Sequence, residues 1–383
     1  MASKRPPELD RAFHWGLEVL ARWLGEGWPG ACYRAGGLPP ELGSSPASLH
    51  AVAMLIDLAG ALEVLGRGRG MGKVRRGLKS SPNWETIAST RCALRLAMAG
   101  LRAGMEPEPE HGETPMDLML DGSGVRLGVE IKTLRRSDLT IEIDRWLDDL
   151  TLRLLIAVSN REVLITGDAR EALDDEQTEA LSQRLVDAVG LVRADLEIPT
   201  IRAGKNRFEV RRPWPDERPG SRIAMPIEDL WRKTTARIAY AAEQMTKSGA
   251  SWLVVESLDN LWELTPWSRE PAGVRASSLA EAARALLATG THVDGVVFTD
   301  GASMTNPGSR DEESMPEPGV IFLRRRLDYV RSRQSIIVGL TDVSVQAMPV
   351  WSSLFDSEPG FAEWVLPRLG LSPPRELAVM RSA

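Results

Sequence analysis

Apolar residues recur at helical spacing in the first part of the chain. In segments 9–24 and 49–65 they fall three or four positions apart, which places them on one face of a helix. Further on, Ser81 and Pro82 are typical of a helix start, because proline fits the first helical position and serine can cap free amides. This helix is expected to end near Arg102. The pattern therefore predicts a helical N-terminal portion followed by one further helix.

Short apolar runs follow, separated by segments of helical periodicity. SWLVVES, from Ser251, and VDGVVFTD, from Val293, have the length and composition of buried strands, and VRLGVEI precedes them. Such strands alternating with helices indicate an α/β fold with helices on both faces of a sheet. Helices are expected at 174–189, 227–245 and 278–289, loops at 212–226 and 301–318, and either type of element at 152–158 and 163–166.

The composition is that of a soluble globular protein. The chain has 383 residues, 43 % apolar and 26 % charged, enough for one large domain or two ordinary ones. No stretch approaches eighteen uninterrupted apolar residues, and the N-terminus lacks the apolar run of a signal peptide. We therefore expect a cytoplasmic protein without a membrane partner. The two cysteines are too few for a disulfide framework.

The charge distribution bears on nucleic-acid binding. A net charge of −6 argues against a protein that coats nucleic acid through bulk positive charge. Basic residues nevertheless cluster at 67–79, 202–212 and 324–333, where the alternative interpretation is a solvated loop or helix face. From the first two clusters the candidate nucleic-acid-binding residues are Arg67, Arg69, Lys73, Arg75, Arg76, Lys79, Lys205 and Arg207.

One predicted hairpin, PMDLMLDGSGVRLGVEIKTL, carries charges within otherwise apolar strands. Glu130 and Lys132 share a face, because successive side chains of a strand alternate. A turn centred on positions 122–123 would place Asp117 opposite Gly128 and diagonal to Glu130, with the Cα atoms about 7–8 Å apart. A three-residue loop would instead send Asp117 to the opposite face. In the first register the three charges converge.

Two carboxylates at this separation can share a hard divalent cation such as Mg²⁺ or Mn²⁺, whereas without one they would repel each other and resist burial. Lys132 beside them could hold or deprotonate a water, or neutralise a phosphate. Upstream, Glu85 occupies the first turn of the helix that follows Pro82, on an otherwise apolar face. The alternatives are a surface salt bridge in the hairpin and a glutamate favoured by the helix dipole.

The series of Glu85 on a helix, Asp117 on a strand and Glu130-Ile131-Lys132 on the next strand resembles the PD-(D/E)XK nuclease superfamily. Here Met116 separates the proline from the aspartate of the PD pair, and the later helix lacks the Gln-x-x-x-Tyr element of the RecB-like branch. The resemblance implies a restriction-endonuclease-like fold, with a mixed central sheet flanked by helices.

For the site, the resemblance implies that Asp117 and Glu130 bind Mg²⁺ or Mn²⁺ with help from Glu85, and that Lys132 is the catalytic lysine. The domains expected are a helical N-terminal region over 1–80, a nuclease-like core with insertions over 81–345, and a C-terminal tail over 346–383.

The expected function is metal-dependent hydrolysis of phosphodiester bonds in DNA, with RNA left open. By analogy of fold, the setting would be restriction, repair or anti-phage defence. The competing interpretation is a non-catalytic nucleic-acid-binding or assembly protein on the same fold. In that case the N-terminal helices would form an interface with a second copy or with a partner protein.

Overall fold

The computed structural model describes residues 7–34, 49–112, 116–122, 124–134, 138–158, 163–193, 200–214, 219–226, 248–257, 272–287, 293–300, 313–314, 319–326 and 332–358, together with 229, 245, 262 and 370. Helices and strands alternate after an all-helical start. In chain order they are α1 (Pro7–Leu24), α2 (Trp28–Arg34), α3 (Leu49–Leu65), α4 (Met71–Ser80), α5 (Trp84–Arg102), β1 (Glu106–His111), β2 (Met116–Gly122), β3 (Val125–Leu134), α6 (Asp138–Val158), β4 (Leu164–Asp168), α7 (Asp175–Arg193), β5 (Ile201–Ala203), β6 (Asn206–Arg211), β7 (Gly220–Ala224), β8 (Trp252–Ser257), α8 (Ala272–Leu287), β9 (Gly295–Asp300), β10 (Glu313–Ser314), β11 (Val320–Arg326), β12 (Ser332–Gly339) and α9 (Asp342–Ser357).

The chain forms two compact units. The first comprises residues 1–134, 236–264 and 279–383, and the second comprises 135–235 and 265–278. The N-terminal helices and the strands that carry the predicted site thus belong to one unit. The predicted boundaries at 80 and 345 stay predictions.

The N-terminal helices follow the apolar pattern, since α1 and α3 cover the two predicted segments. The helix expected to start at Ser81 and Pro82 is α5, and it starts later than expected. Ser81 closes α4, where its amide donates to the Gly77 carbonyl. Asn83 is the residue that caps α5, because its side chain accepts a hydrogen bond from the Thr86 amide at 3.0 Å. The predicted cap at Ser81 is therefore wrong by two residues.

The glycine- and arginine-rich segment 67–79 forms a helix over most of its length. Within α4, Met71, Val74 and Leu78 are buried at helical spacing, and the basic side chains occupy the remaining positions. The helix can begin close to β1 because Gly70 lacks a Cβ atom. A Cβ there would lie 1.7 Å from the Pro109 carbonyl oxygen, and Gly70 also has a left-handed φ of +75°.

An eight-stranded mixed sheet forms the centre of the first unit, in the order β1-β2-β3-β8-β9-β12-β11-β10. β1, β2 and β3 form an antiparallel meander, while β3, β8 and β9 run parallel. Every residue of β8 is buried, as its continuous apolar run predicts. The expectation of a mixed central sheet flanked by helices is confirmed.

One face of this sheet packs against α5 and α9. The core there includes Leu118, Ile131 and Val254 from neighbouring strands and Leu96 and Trp351 from the two helices. Ile131 points into this core, so its neighbours Glu130 and Lys132 point to the opposite face. The charged face of the hairpin is thereby separated from the core shared with α5.

The second unit has its own four-stranded sheet, in the order β5-β6-β4-β7. The two apolar segments of undecided type become different elements: 152–158 belongs to α6, and 163–166 largely to β4. α6 and α7 pack together, and the Trp146 indole donates to the Thr178 hydroxyl at 2.8 Å between them. The predicted helix at 174–189 is confirmed as part of α7.

Some predicted elements fall largely on residues outside the described ranges. These are the helix at 227–245, of which only 229 and 245 are described, and the loop at 301–318, of which only the short strand β10 is described. The C-terminal tail beyond 358 also lies outside them, apart from residue 370. Within the described part of the chain, no helix combines the length and apolarity needed to cross a membrane.

Candidate functional site

The pairing of β2 with β3 differs from the predicted register. Gly122 pairs with Val125 and Met119 pairs with Gly128, so the connection consists of positions 123 and 124. Gly124 supplies the left-handed φ of +75° that a tight connection needs. The predicted turn centred on 122–123 is therefore wrong, and so is the predicted placement of Asp117 opposite Gly128. Leu118 and Val129 are the last paired residues at this end of the two strands; Asp117 comes immediately before Leu118 in the chain and lies at the level of Glu130.

The Asp117 side chain is held against β3 by a hydrogen bond. Its Oδ2 accepts from the Ile131 amide at 2.7 Å, just beyond the last paired residues of the two strands. The carboxylate thus takes the place of a main-chain acceptor and lies beside Glu130. The two acidic side chains that the hairpin pattern singled out are brought together, in a register other than the expected one.

Burial and neighbouring negative charges disfavour the charged forms of both carboxylates. The pKa of Glu130 is raised to about 8, first by burial and then by the negative charge of Asp117. Burial raises the pKa of Asp117 to about 6, although the hydrogen bond from Ile131 opposes the change. The positive charge of Lys132, on the same face of β3, favours ionisation of both groups and lowers both pKa values. Lys132 therefore belongs to the same electrostatic cluster.

A further acidic residue, Glu110, joins the cluster from β1. Its neighbours Pro109 and His111 pair with Leu118 and Met116, so Glu110 lies at the level of Asp117. Its negative charge raises the pKa of both Asp117 and Glu130. Burial raises the pKa of Glu110 itself, and the positive charge of Lys73 opposes this.

Sequence reasoning missed Glu110 because the proline-containing stretch EPEPEH follows the predicted end of a helix near Arg102 and was interpreted only as the segment that terminates this helix. Its alternating glutamates are a signal of a strand with one acidic face. Prolines argue against a central strand, but β1 lies at the edge of the sheet, where a missing amide is tolerated.

Glu85 lies in the first turn of α5, as predicted. Its side chain is outside the described residues, so its contribution to the site stays a prediction.

The predicted nucleic-acid-binding residues divide between the two units. In the first unit, Arg75 is half-buried, with its guanidinium over the Trp23 ring at 5.1 Å. Lys73 donates to the carbonyl oxygens of Glu110 at 3.1 Å and Gly112 at 2.8 Å. The exposed members are Lys73 itself and Arg67, Arg69, Arg76 and Lys79.

Lys205 and Arg207 belong to the second unit, on the hairpin of β5 and β6. Each has an acidic neighbour: the Lys205 amine lies 3.5 Å from Glu171, and the Arg207 guanidinium lies 2.8 Å from Glu209. These ion pairs are on the surface, where such contacts are weak and leave the cations able to bind other anions.

The two carboxylates at the centre of the cluster fit a hard cation that takes only one or two of its ligands from the protein. Among the residues that the structure describes, no group of three or more His, Cys, Asp or Glu is arranged to hold a metal ion. Mg²⁺ is commonly bound through one or two carboxylates, with water and substrate phosphate completing its shell. Asp117 and Glu130 supply two, and the Oε2 atom of Glu130 is buried with no hydrogen-bond partner among the described residues. A cation would neutralise both charges and bind this oxygen.

A second charged cluster lies on the α5 side of the sheet. Arg91 and Arg95 of α5 contact Glu256 of β8 at 3.4 and 3.8 Å, and Arg333 of β12 contacts it at 3.4 Å. Arg95 and Arg333 also contact Glu358, which follows α9. All five residues are at most 5 % exposed. The alternative interpretation of the basic segment 324–333 as a solvated loop or helix face is therefore wrong for Arg333.

No family model matches the chain, and comparisons with curated proteins and with solved structures find no match either. The geometry of the carboxylate cluster is thus the basis for a functional assignment.

The raised pKa of Glu130 predicts a pH dependence of stability in the metal-free protein. Because the folded state favours the protonated acid, its contribution to stability is complete below the ordinary pKa of 4.5 and is lost as pH rises towards about 8. We expect the free energy of unfolding, measured with urea in EDTA, to fall by at least about 1 kcal/mol more over this range in wild type than in Glu130→Gln. If the free energy of unfolding fell equally with pH in both proteins, the raised pKa of Glu130 would be contradicted.

Proposed function

We propose that the protein is a divalent-metal-dependent nuclease that hydrolyses phosphodiester bonds in DNA. One observation carries the proposal: Asp117 and Glu130 lie side by side on neighbouring strands, with Lys132 on the same face. A protein gains no stability from two half-buried carboxylates that repel each other, and clusters of perturbed acids are typical of functional sites.

Each residue of the cluster has a distinct role in this proposal. Asp117 and Glu130 would hold the cation, and the hydrogen bond from the Ile131 amide fixes the orientation of Asp117. When bound, a divalent cation supplies charge neutralisation at the scissile phosphate and a water of lowered pKa. Lys132 positions the attacking water or stabilises the charge that develops on the phosphate oxygens. Glu85, in the first turn of α5, is proposed to assist metal binding.

The order of elements supports a restriction-endonuclease-like architecture. A helix, α5, precedes the meander of β1, β2 and β3, and β8 then adds parallel to β3. In the resemblance to the PD-(D/E)XK superfamily, the aspartate and the Glu-x-Lys element lie on consecutive strands of such a sheet, as Asp117 and Glu130-Ile131-Lys132 do here.

The DNA backbone is proposed to bind the basic residues of α4 and of the turn that precedes it. Lys73 joins this helix to the end of β1, next to the carboxylate cluster. The exposed residues Arg67, Arg69, Arg76 and Lys79 are therefore in the same part of the first unit as the site and provide the positive charge that phosphates require. A cytoplasmic role in restriction, repair or anti-phage defence is part of the proposal by analogy of fold.

The second candidate function is binding of nucleic acid or assembly without catalysis. It is favoured by the absence of a group of three metal-ligating side chains among the described residues. Under this alternative, the protein binds DNA through the basic residues of α4, and the affinity does not depend on a divalent cation.

Cleavage assays separate the two candidates. Purified protein is incubated with linear, circular and single-stranded DNA and with RNA, in Mg²⁺, Mn²⁺ or EDTA. The nuclease proposal predicts cleavage that needs the metal and is lost in Lys132→Met, while the variant still binds Mn²⁺ in calorimetry. DNA binding without cleavage in any condition, together with no Mn²⁺ binding, would overturn the proposal in favour of the binding protein.

A further inference from the structure

The end of β1 has an unusual backbone conformation. Glu110 has a φ of +54° and is the one residue other than glycine with a positive φ in the described part of the chain. A side chain in this left-handed region crowds the backbone, so such residues persist only where surrounding contacts hold them, and they are concentrated at functional sites.

Contacts from α4 hold this conformation in place. The Lys73 amine donates to the carbonyl oxygens of Glu110 and Gly112, on both sides of His111. The close approach of Gly70 to the Pro109 carbonyl brings the start of α4 against the same stretch of strand. Two of the three donors of the Lys73 amine are therefore used on the backbone at the end of β1 and on Gly112 just after it.

The held conformation brings a third negative charge towards the proposed metal site. Glu110 of β1 lies opposite Asp117 of β2, because the residues on either side of both are paired. Asp117 in turn lies beside Glu130 of β3. Three adjacent strands thus present carboxylates at one level of the sheet. The buried Oε2 of Glu130, which has no hydrogen-bond partner among the described residues, independently indicates that a ligand belongs here.

We propose that Glu110 is the outer carboxylate of the metal centre, which accepts hydrogen bonds from water ligands of the cation, and that Lys73 is a positioning residue that holds Glu110 there. This inference rests on the proposed function. A role for Glu110 outside the direct ligands agrees with one finding: among the described residues, no three His, Cys, Asp or Glu side chains are arranged to hold a metal ion together. Outer carboxylates orient the water and the direct ligands of a metal and strengthen its binding.

Lys73 has a competing role as a contact to the DNA backbone. A phosphate contact affects DNA affinity and has no effect on metal binding when DNA is absent. A positioning role affects metal binding in the absence of DNA. The two roles therefore differ in one measurement, the affinity for Mn²⁺ of the protein alone.

Calorimetric titration of the full chain with Mn²⁺, without DNA, tests the inference. We expect about tenfold to hundredfold weaker binding for Glu110→Gln and for Lys73→Met than for wild type. Glu106→Gln, an exposed position on the same strand, is the matched control for the loss of one charge, and Lys79→Met on α4 is the contrast for Lys73. Both are expected to bind Mn²⁺ as wild type does.

A further variant separates loss of the ligand from loss of the fold. Glycine adopts a positive φ without strain, so Glu110→Gly is expected to raise the melting temperature by a few degrees while weakening Mn²⁺ binding as Glu110→Gln does. Wild-type Mn²⁺ affinity in both Glu110 variants and in Lys73→Met would overturn the inference and leave the nuclease proposal standing. Failure of wild type itself to bind Mn²⁺ would overturn both.

Discussion

The Asp117→Asn variant is expected to cleave DNA at least about a hundredfold more slowly than wild type at the same Mg²⁺ concentration. The amide keeps an oxygen that can accept from the Ile131 amide, so the local structure is preserved. It removes one of the two charges that bind the cation and leaves Glu130 as the remaining inner carboxylate. Initial rates on a fluorescent DNA substrate, with Mn²⁺ affinity measured in parallel, check this expectation.

Asp121→Asn is the matched control for this variant. It is the same chemical change on the same face of β2, four residues further along, and its side chain is exposed. It is expected to cleave at the wild-type rate. Asp117→Asn with a wild-type rate, or an equal loss in both variants, would contradict the assignment of Asp117 as a metal ligand.

The Glu256→Gln variant is expected to lower the free energy of unfolding by about 3–5 kcal/mol. Glu256 is buried and is shared by the guanidiniums of Arg91, Arg95 and Arg333. Burial lowers the pKa of Arg91, and the charge of Glu256 opposes this. Without the charge of Glu256, the three buried guanidiniums repel one another. Glu358 then remains as the acidic partner of Arg95 and Arg333. Urea denaturation followed by circular dichroism measures the change.

The control is an ion pair on the protein surface. Glu63 accepts from Arg22 at 3.0 Å, and both side chains are at least 36 % exposed. Glu63→Gln removes one negative charge, as Glu256→Gln does, and is expected to cost less than about 1 kcal/mol. If the two variants lost stability equally, the buried cluster would not be the stabilising feature that its geometry indicates.

Local patterns predicted the features that depend on a few neighbouring residues. The shared face of Glu130 and Lys132 follows from strand alternation, and the helical segments and the buried strand β8 follow from periodicity and run length. Asp117 and Glu130 were expected to lie close together, but in a register that placed Asp117 opposite Gly128, and this register is wrong. Gly122 and Gly124 are separated by one residue in the sequence and both suit a tight connection, so pairing with the rest of the sheet decided which of the two belongs to the turn.

Other features depend on contacts between distant parts of the chain. Glu110 reaches the cluster because β1 pairs with β2 and because Lys73, 37 residues earlier, bonds to its carbonyl. Arg91 and Glu256 are 165 residues apart, and although Glu256 ends the apolar run of β8, neither local sequence identifies the other residue as its partner. Their burial follows from the packing of α5 on the sheet.

The sequence by itself determined the helical start, the mixed α/β organisation and the three charges of the hairpin, because each of these is encoded within one turn of helix or a few residues of strand. The tertiary structure decided the register, the addition of Glu110 to the site and the burial of the arginine cluster. Register and burial depend on which segments meet across the sheet, and that is settled by the summed packing of many residues far apart along the chain.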